Sequence, residues 1–297
     1  MRRFDTLRTN AFPQFLHDVK HLDLTPLDLV VTDYEPVVAW AARRAGIRSI
    51  GIGHQYAFGP ATPVSGGDLV SRLVMRRFAP VVEPVGLHWH PYAVNVLPPI
   101  LDLPPLGEQR GDHILVYLPF EDQEKVTRVL QAIPDQRFVQ YANGLQAGIA
   151  GNVVHKPTST ATFKQDLRAS AGVLCNSGFE LISECLQWGK PVLTKPLAGQ
   201  MEQLSNAEAL RQLGYATVLG QLAPGSVSDW IRSAPAAPTL HFPDVAAALA
   251  YWLADGAEEG LESVWRHLWD MPPHNTPRGS DEPSGHLGGD IPQRRAG

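Results

Sequence analysis

Short apolar runs, each bounded by turn residues and followed by a helical pattern, recur along this chain and restrict its fold more than any other feature. Asp28-Leu-Val-Val-Thr-Asp33 is one such run, and residues 47–53 (IRSIGIG) are the next. Between them, residues 35–45 (EPVVAWAARRA) read as a helix with proline in its first turn, ended by Gly46. A continuous apolar strand suits a parallel sheet, because crossover helices cover both of its faces. Strand, helix and strand make one βαβ unit.

The alternation continues. A Gly/Pro-rich loop at 58–67 precedes a helix at 68–78 and strand-like runs at 85–89 and 95–101. Residues 97–110 (LPPILDLPPLGEQR) hold four prolines without periodicity and read as a linker. A second α/β region opens at His113-Ile-Leu-Val-Tyr-Leu-Pro119. It predicts strands at 137–141, 152–155, 172–175, 191–195 and 216–219, with helices at 121–133, 161–169 and 201–213. Two further helices are predicted at 245–254 and 261–269, and a first one at 11–24 with Phe12, Phe15, Leu16 and Val19 on one side. The expectation is an α/β protein with two doubly wound parallel sheets, residues 1–103 and 104–271. Residues 272–297, rich in Pro, Gly, Ser and charge, read as a disordered tail.

Composition narrows the function. The net charge of -5 gives no basic surplus for nucleic acid, and the run Arg72-Leu-Val-Met-Arg76-Arg77 reads as a solvated helix face. The two cysteines, Cys175 and Cys185, sit in apolar patterns and read as small buried hydrophobes. With no signal-peptide pattern and no apolar run long enough to span a membrane, a cytoplasmic location is expected, and peripheral membrane association stays open. His88 and His90 alternate onto one strand face without a third ligand at a telling spacing, so no metal or other cofactor is expected. Trp188, Trp230, Trp252, Trp265 and Trp269 fall at helical positions as core or interface anchors.

The chemistry concentrates at 175–203. A helix beginning on Ser177-Gly178 straight after a strand offers unpaired backbone amides and the positive end of its dipole. Gly178 has no Cβ, so a diphosphate could approach the amides of the turn, with Phe179 opening the helix. Asn176 or Ser177 would equally serve as an ordinary N-cap. Glu184, six residues beyond Gly178, can accept hydrogen bonds from vicinal hydroxyls such as a ribose offers. Gly199 and Gln200 lie at the end of the next strand, where open α/β sheets bind ligands. Glu202 and Gln203 follow as groups placed to read sugar hydroxyls. Asn206 in mid-helix costs propensity and needs a reason.

The segment SGFELISECLQWGKPVLTKPLAGQMEQLSNAEALRQLG resembles the donor-binding segment of GT-B glycosyltransferases, closest to the MurG-like, glycosyltransferase family 28 C-terminal branch. The spaced elements Ser177-Gly178, Ser183-Glu184, Gly189-Lys190-Pro191 and Glu202-Gln203 with Asn206-Ala207 carry the resemblance. It extends more loosely over residues 28–220. It implies two Rossmann-like domains. It also implies a nucleotide-sugar donor, UDP-linked by resemblance alone, with its phosphates at Ser177, Gly178 and Phe179, its ribose at Glu184 and its sugar at Glu202 and Gln203. The strand and glycine-rich loop with which the family opens have no counterpart before Asp28, so the N-terminal domain is expected to be incomplete. A late start codon, a truncated gene or lost catalysis would each account for that. Asp33, Glu35 and His54, all at strand ends, are the candidates for the general base, against ordinary capping roles. The implied activity is inverting, metal-independent transfer of the sugar to an acceptor hydroxyl of unknown identity. The alternatives are a noncatalytic nucleotide-sugar binder or a subunit needing a partner chain, and a sugar-nucleotide epimerase of the same fold.

Overall fold

The computed structural model describes residues 11–67, 69–104, 111–158, 160–233 and 237–270. The tail expected at 272–297 lies outside them. After a first helix, α1 (Ala11–His21), the βαβ unit stands where the sequence places it. β1 (Leu29–Thr32) and β2 (Arg48–Gly53) pair in parallel around α2 (Pro36–Ala45), with Leu29 opposite Arg48. Both ends of α2 are set locally. Pro36 starts it, and Gly46 ends it at φ 70, a left-handed conformation that glycine takes without a Cβ clash. The Glu35 carboxylate accepts from Val37 N at 2.9 Å and Val38 N at 2.8 Å, which satisfies two amides of the first turn.

β2 runs into a 3₁₀ turn, His54–Ala57, and α3 (Leu69–Arg77) leads to β3 (Glu83–Leu87) and β4 (Val96–Leu97). The four strands form a parallel sheet in the order β1-β2-β3-β4. Because β3 stops at Leu87, His88 and His90 do not share a strand face as expected: His88 is buried and His90 exposed. The stripe on α1 is only partly covered. Phe12 and Leu16 are half exposed, while Val19 packs beside Leu24, Val30 and Ala42.

The second sheet is built from β5 (Ile114–Tyr117), β6 (Phe138–Ala142), β7 (Gly148–Ala150), β8 (Val153–Pro157), β9 (Gly172–Cys175), β10 (Val192–Thr194) and β11 (Thr217–Val218). Their spatial order is β11-β10-β9-β5-β6-β8-β7. All neighbours are parallel except β7, which forms an antiparallel hairpin with β8. β9 is buried along its whole length, which is why its sequence is apolar throughout. The crossovers include α4 (Gln123–Gln131), α5 (Thr160–Ala169), α6 (Phe179–Gln187) and α7 (Met201–Leu213). A further helix, α8 (Pro224–Ser233), has no bounds predicted from the sequence beyond the helical position given to Trp230. It buries Trp230, whose ring lies 2.9 Å from where a Cβ on Gly172 would stand.

The last helices, α9 (Val245–Ala254) and α10 (Leu261–Trp269), return the chain to the first sheet. Trp269 donates its indole N–H to Val96 O at 2.8 Å. Arg48 on β2 donates to Gly256 O and Ala257 O, both at 2.6 Å, and pairs with Glu83. Ile50, Val85 and Leu97 of the first sheet accordingly share one apolar core with Leu115, Val173 and Leu186 of the second. Among the tryptophans expected as anchors, Trp188, Trp230 and Trp252 are buried. The topology brings the C-terminal ends of β1 and β2 opposite those of β9 and β10. No helix among the described residues is long and apolar enough to cross a membrane.

Candidate functional site

β9 ends at Cys175, and the backbone turns through Asn176 and Ser177 to Gly178, the N-cap of α6. Neither preceding side chain caps the helix. Ser177 Oγ pairs with Thr194 Oγ1 at 2.9 Å, and Asn176 Nδ2 donates to Lys195 O at 2.9 Å. No side chain among the described residues caps it either. Gly178 sits at φ -76 and ψ 143, a conformation open to any residue, so the backbone does not demand glycine here. A Cβ on Gly178 would meet nothing within 4 Å among the described residues, so the turn is open on that side. An uncapped helix start under open space is a ready seat for an anion.

Two side-chain oxygens of this stretch, Asn176 Oδ1 beside the turn and Glu184 Oε2 in the second turn of α6, are closed off from solvent and have no hydrogen-bond partner among the described residues. The other oxygen of Glu184 is paired with Lys164 of α5. Burial pushes the Glu184 carboxyl up from its ordinary value, and Lys164 pulls it back. The carboxylate is thus fixed by one oxygen, and the second, closed off from solvent, is unpaired among the described residues. Desolvation makes an unmet buried acceptor costly, so a partner at this oxygen is favoured.

α7 starts in the same way one strand over. Its N-cap Gln200 makes no side-chain cap, and Gly199 before it, at φ 75, also borders open space. Gln203 has a different place from the one expected. It is buried, and its Oε1 accepts from Leu197 N at 3.0 Å, which fastens the loop after β10 rather than facing the cleft. Glu202 does face across. Gln55 Nε2 lies 3.4 Å from its Oε2, and its charge adds to the burial that pushes the Tyr34 hydroxyl up to about 12.

The facing edge is made by the ends of β1 and β2. Asp33 is exposed and makes no hydrogen bond among those of the described residues. Its Oδ1 would lie 3.1 Å from a Cβ on Gly53, and Gln55 Oε1 is 3.5 Å from the same point, so Asp33 and Gln55 converge there. Tyr34 takes a φ of 50, which is rare for an aromatic residue and marks strain at this strand end. Its hydroxyl donates to Met75 O at 2.5 Å. Glu35 lies apart, with both oxygens committed to the first turn of α2.

His54 is buried between the two edges. Nδ1 is 2.8 Å from Leu87 O, and Nε2 is 2.8 Å from Asn206 Oδ1. Its ring stacks on Phe179 with centroids 4.0 Å apart and planes 8° apart. Asn206 also donates Nδ2 to Ser177 O at 3.1 Å, which gives this mid-helix asparagine its reason. A second cross-link joins Trp89 Nε1 to Ser183 Oγ at 2.7 Å. The fold therefore brings His54 and Glu202 to the turn from Asn176 to Phe179, with Asp33 beside Gln55 at the edge; it sets Gly199 and Gln200 at the start of α7 and Glu184 in the second turn of α6, and commits Glu35 and Gln203 elsewhere. Sequence reasoning missed Tyr34, Gln55, Trp89 and Lys164. Only His54, read at a strand end, pointed toward Gln55 beside it.

A sequence profile described as glycosyl transferase family 1 matches residues 9–235. Among solved structures, the glycotransferase of kitacinnamycin aligns with a TM-score of 0.52 at 16% identity, over 90% of this chain and 82% of that one. The glycosyltransferase SnogD from Streptomyces nogalater aligns at 0.45 and 18% identity, over 88% and 77% of the two chains. MurG of Acinetobacter baumannii aligns at 0.44 and 14% identity, over 73% and 67%. No curated protein matches. The first of these likenesses shows the fold, two Rossmann-like lobes of GT-B type.

Proposed function

This chain belongs to glycosyl transferase family 1, and from that premise we propose that it moves a sugar from a nucleoside diphosphate, UDP by the resemblance of its donor segment, to an acceptor hydroxyl with inversion. The uncapped start of α6 under open space carries this reading. The diphosphate rests on the amides after Gly178. The ribose hydroxyls are assigned to Glu184, and Glu202 reads the sugar from the start of α7.

We assign the base to Asp33. Glu35 holds its own helix, and each nitrogen of His54 already faces a protein oxygen. Asp33 takes the proton of the acceptor hydroxyl, whose oxygen attacks the anomeric carbon. The bond from that carbon to the diphosphate breaks, and its electron pair leaves on the nucleoside diphosphate. The α6 dipole and amides stabilise that charge, which is the term such sites contribute most through.

Calorimetry with UDP and with dTDP tests the donor site. Glu184→Gln is expected to weaken the preferred nucleotide by about tenfold or more, the worth of a hydrogen bond to a charged group. Unchanged affinity, or no binding of either nucleotide by the parent protein, would count against the reading. Release of UDP from UDP-sugars tests turnover. Asp33→Asn is expected to lower it by about a hundredfold, the usual share of a general base, whereas Glu35→Gln retains it. The opposite order would move the base to Glu35. A protein that binds nucleotide but releases none from any donor would be a noncatalytic binder.

A further inference from the structure

We propose that His54 and Asn206 are positioning residues forming a clasp between the lobes, one that takes up a proton when a nucleoside diphosphate occupies the cradle. The proposal rests on the donor-site reading given above.

Three oxygens meet around the pair: Leu87 O at Nδ1, Asn206 Oδ1 at Nε2, and Ser177 O at Asn206 Nδ2. A neutral imidazole has one N–H and can serve only one of its two oxygens. Turning the Asn206 amide would give Nε2 a donor, but would set Oδ1 against Ser177 O. All three contacts are met together only when both ring nitrogens carry protons.

The surroundings oppose that charge in the empty protein. Phe58, Trp89 and Phe179 wall the ring with aromatic surface, and burial holds His54 below the ordinary histidine range. Each packed element contributes its own charge or none. Beyond β3, His88 has its ring 5.3 Å away, and burial also keeps it from protonating. From α7, Glu202 favours the charged form. Phe179, from α6, brings no charge, and the neighbour on the same turn, Gln55, is neutral.

A diphosphate changes this balance. It would sit at the start of α6, whose first residue is the ring stacked on His54, and its negative charge favours the imidazolium. The proton then completes both contacts of His54, and Asn206 ties Ser177, the residue before the N-cap, to the opposite lobe. Donor binding and fastening of the lobes become one event. By linkage, the nucleotide should bind more tightly as pH falls through the histidine range, and binding should take up protons.

Calorimetry with UDP in two buffers of different ionisation enthalpy, at mildly acid pH, counts those protons. The phosphates of UDP contribute equally in every variant, so the difference between proteins isolates the clasp. The parent protein is expected to take up a fraction of one proton more than His54→Gln. Asn206→Asp, whose carboxylate holds the proton on His54 beforehand, should lose that excess and show the ¹⁵N signature of imidazolium without nucleotide. Equal uptake by the parent and His54→Gln, with UDP bound by both, overturns the clasp and leaves the donor site standing. No binding of UDP by any of the three overturns the donor-site reading itself.

Discussion

Gly178→Asp is expected to leave the fold intact, or raise its stability by a few tenths of a kcal/mol, while weakening nucleotide binding by about a hundredfold or more. The two effects separate because the backbone at Gly178, φ -76 and ψ 143, accepts any residue, and a Cβ there finds no neighbour within 4 Å. Aspartate is among the best N-caps, slightly better than glycine, and α6 has no side-chain cap to lose. Yet the new carboxylate would occupy the anion's place, and like charges set side by side cost several kcal/mol. Affinity should therefore fall by about a hundredfold or more. Gly178→Ala separates size from charge, since its methyl group tests occupation of the space alone. Thermal unfolding beside nucleotide titration checks the pair. A variant that unfolds early, or one that binds as the parent does, would contradict the assignment.

Gly86→Ala should do the reverse and damage the fold. A Cβ there would lie 2.5 Å from Ala57 Cα and 2.7 Å from Ala57 N. Those are backbone atoms, so no side chain can swing aside. The 3₁₀ turn His54–Ala57 is seated directly on β3 and would be lifted off it. Overpacking of this kind costs about 3 kcal/mol, to be read from urea unfolding. The same displacement would draw His54 away from Asn206 and Phe179, and Gln55 from Glu202. Gly220→Ala, with open space around its Cβ, is the control and should change stability by less than about 0.5 kcal/mol. A Gly86→Ala protein as stable as that control would show that the turn does not depend on this approach.

Much of this was legible because its causes are local. The βαβ unit at 29–53 announced itself through Pro36, Gly46 and two continuous apolar strands. The seat at Gly178 was readable because a strand, a small turn and a helix follow one another within a few residues. What stayed hidden depends on distance along the chain or on weak local signals. β7 is three residues that open on Gly148 and run into Gly151, too short to show alternation. α8 opens with Pro-Gly-Ser, which reads as a turn. His54 looked like a base because nothing local shows that Asn206, 152 residues away, meets its second nitrogen. Gln203 looked like a sugar contact because its burial against the loop after β10 exists only in three dimensions. The histidine pair at 88 and 90 misled because alternation holds only while a strand lasts, and β3 ends at Leu87.

Backbone amide shifts followed by NMR during a titration with UDP test the central claim most directly. The account predicts that the largest changes fall on Gly178 to Leu181 and on the start of α7 from Gly199 to Glu202, with little movement at the far ends of β9 and β10. Changes confined to other faces of the molecule, with the α6 amides unmoved at saturating nucleotide, would contradict it.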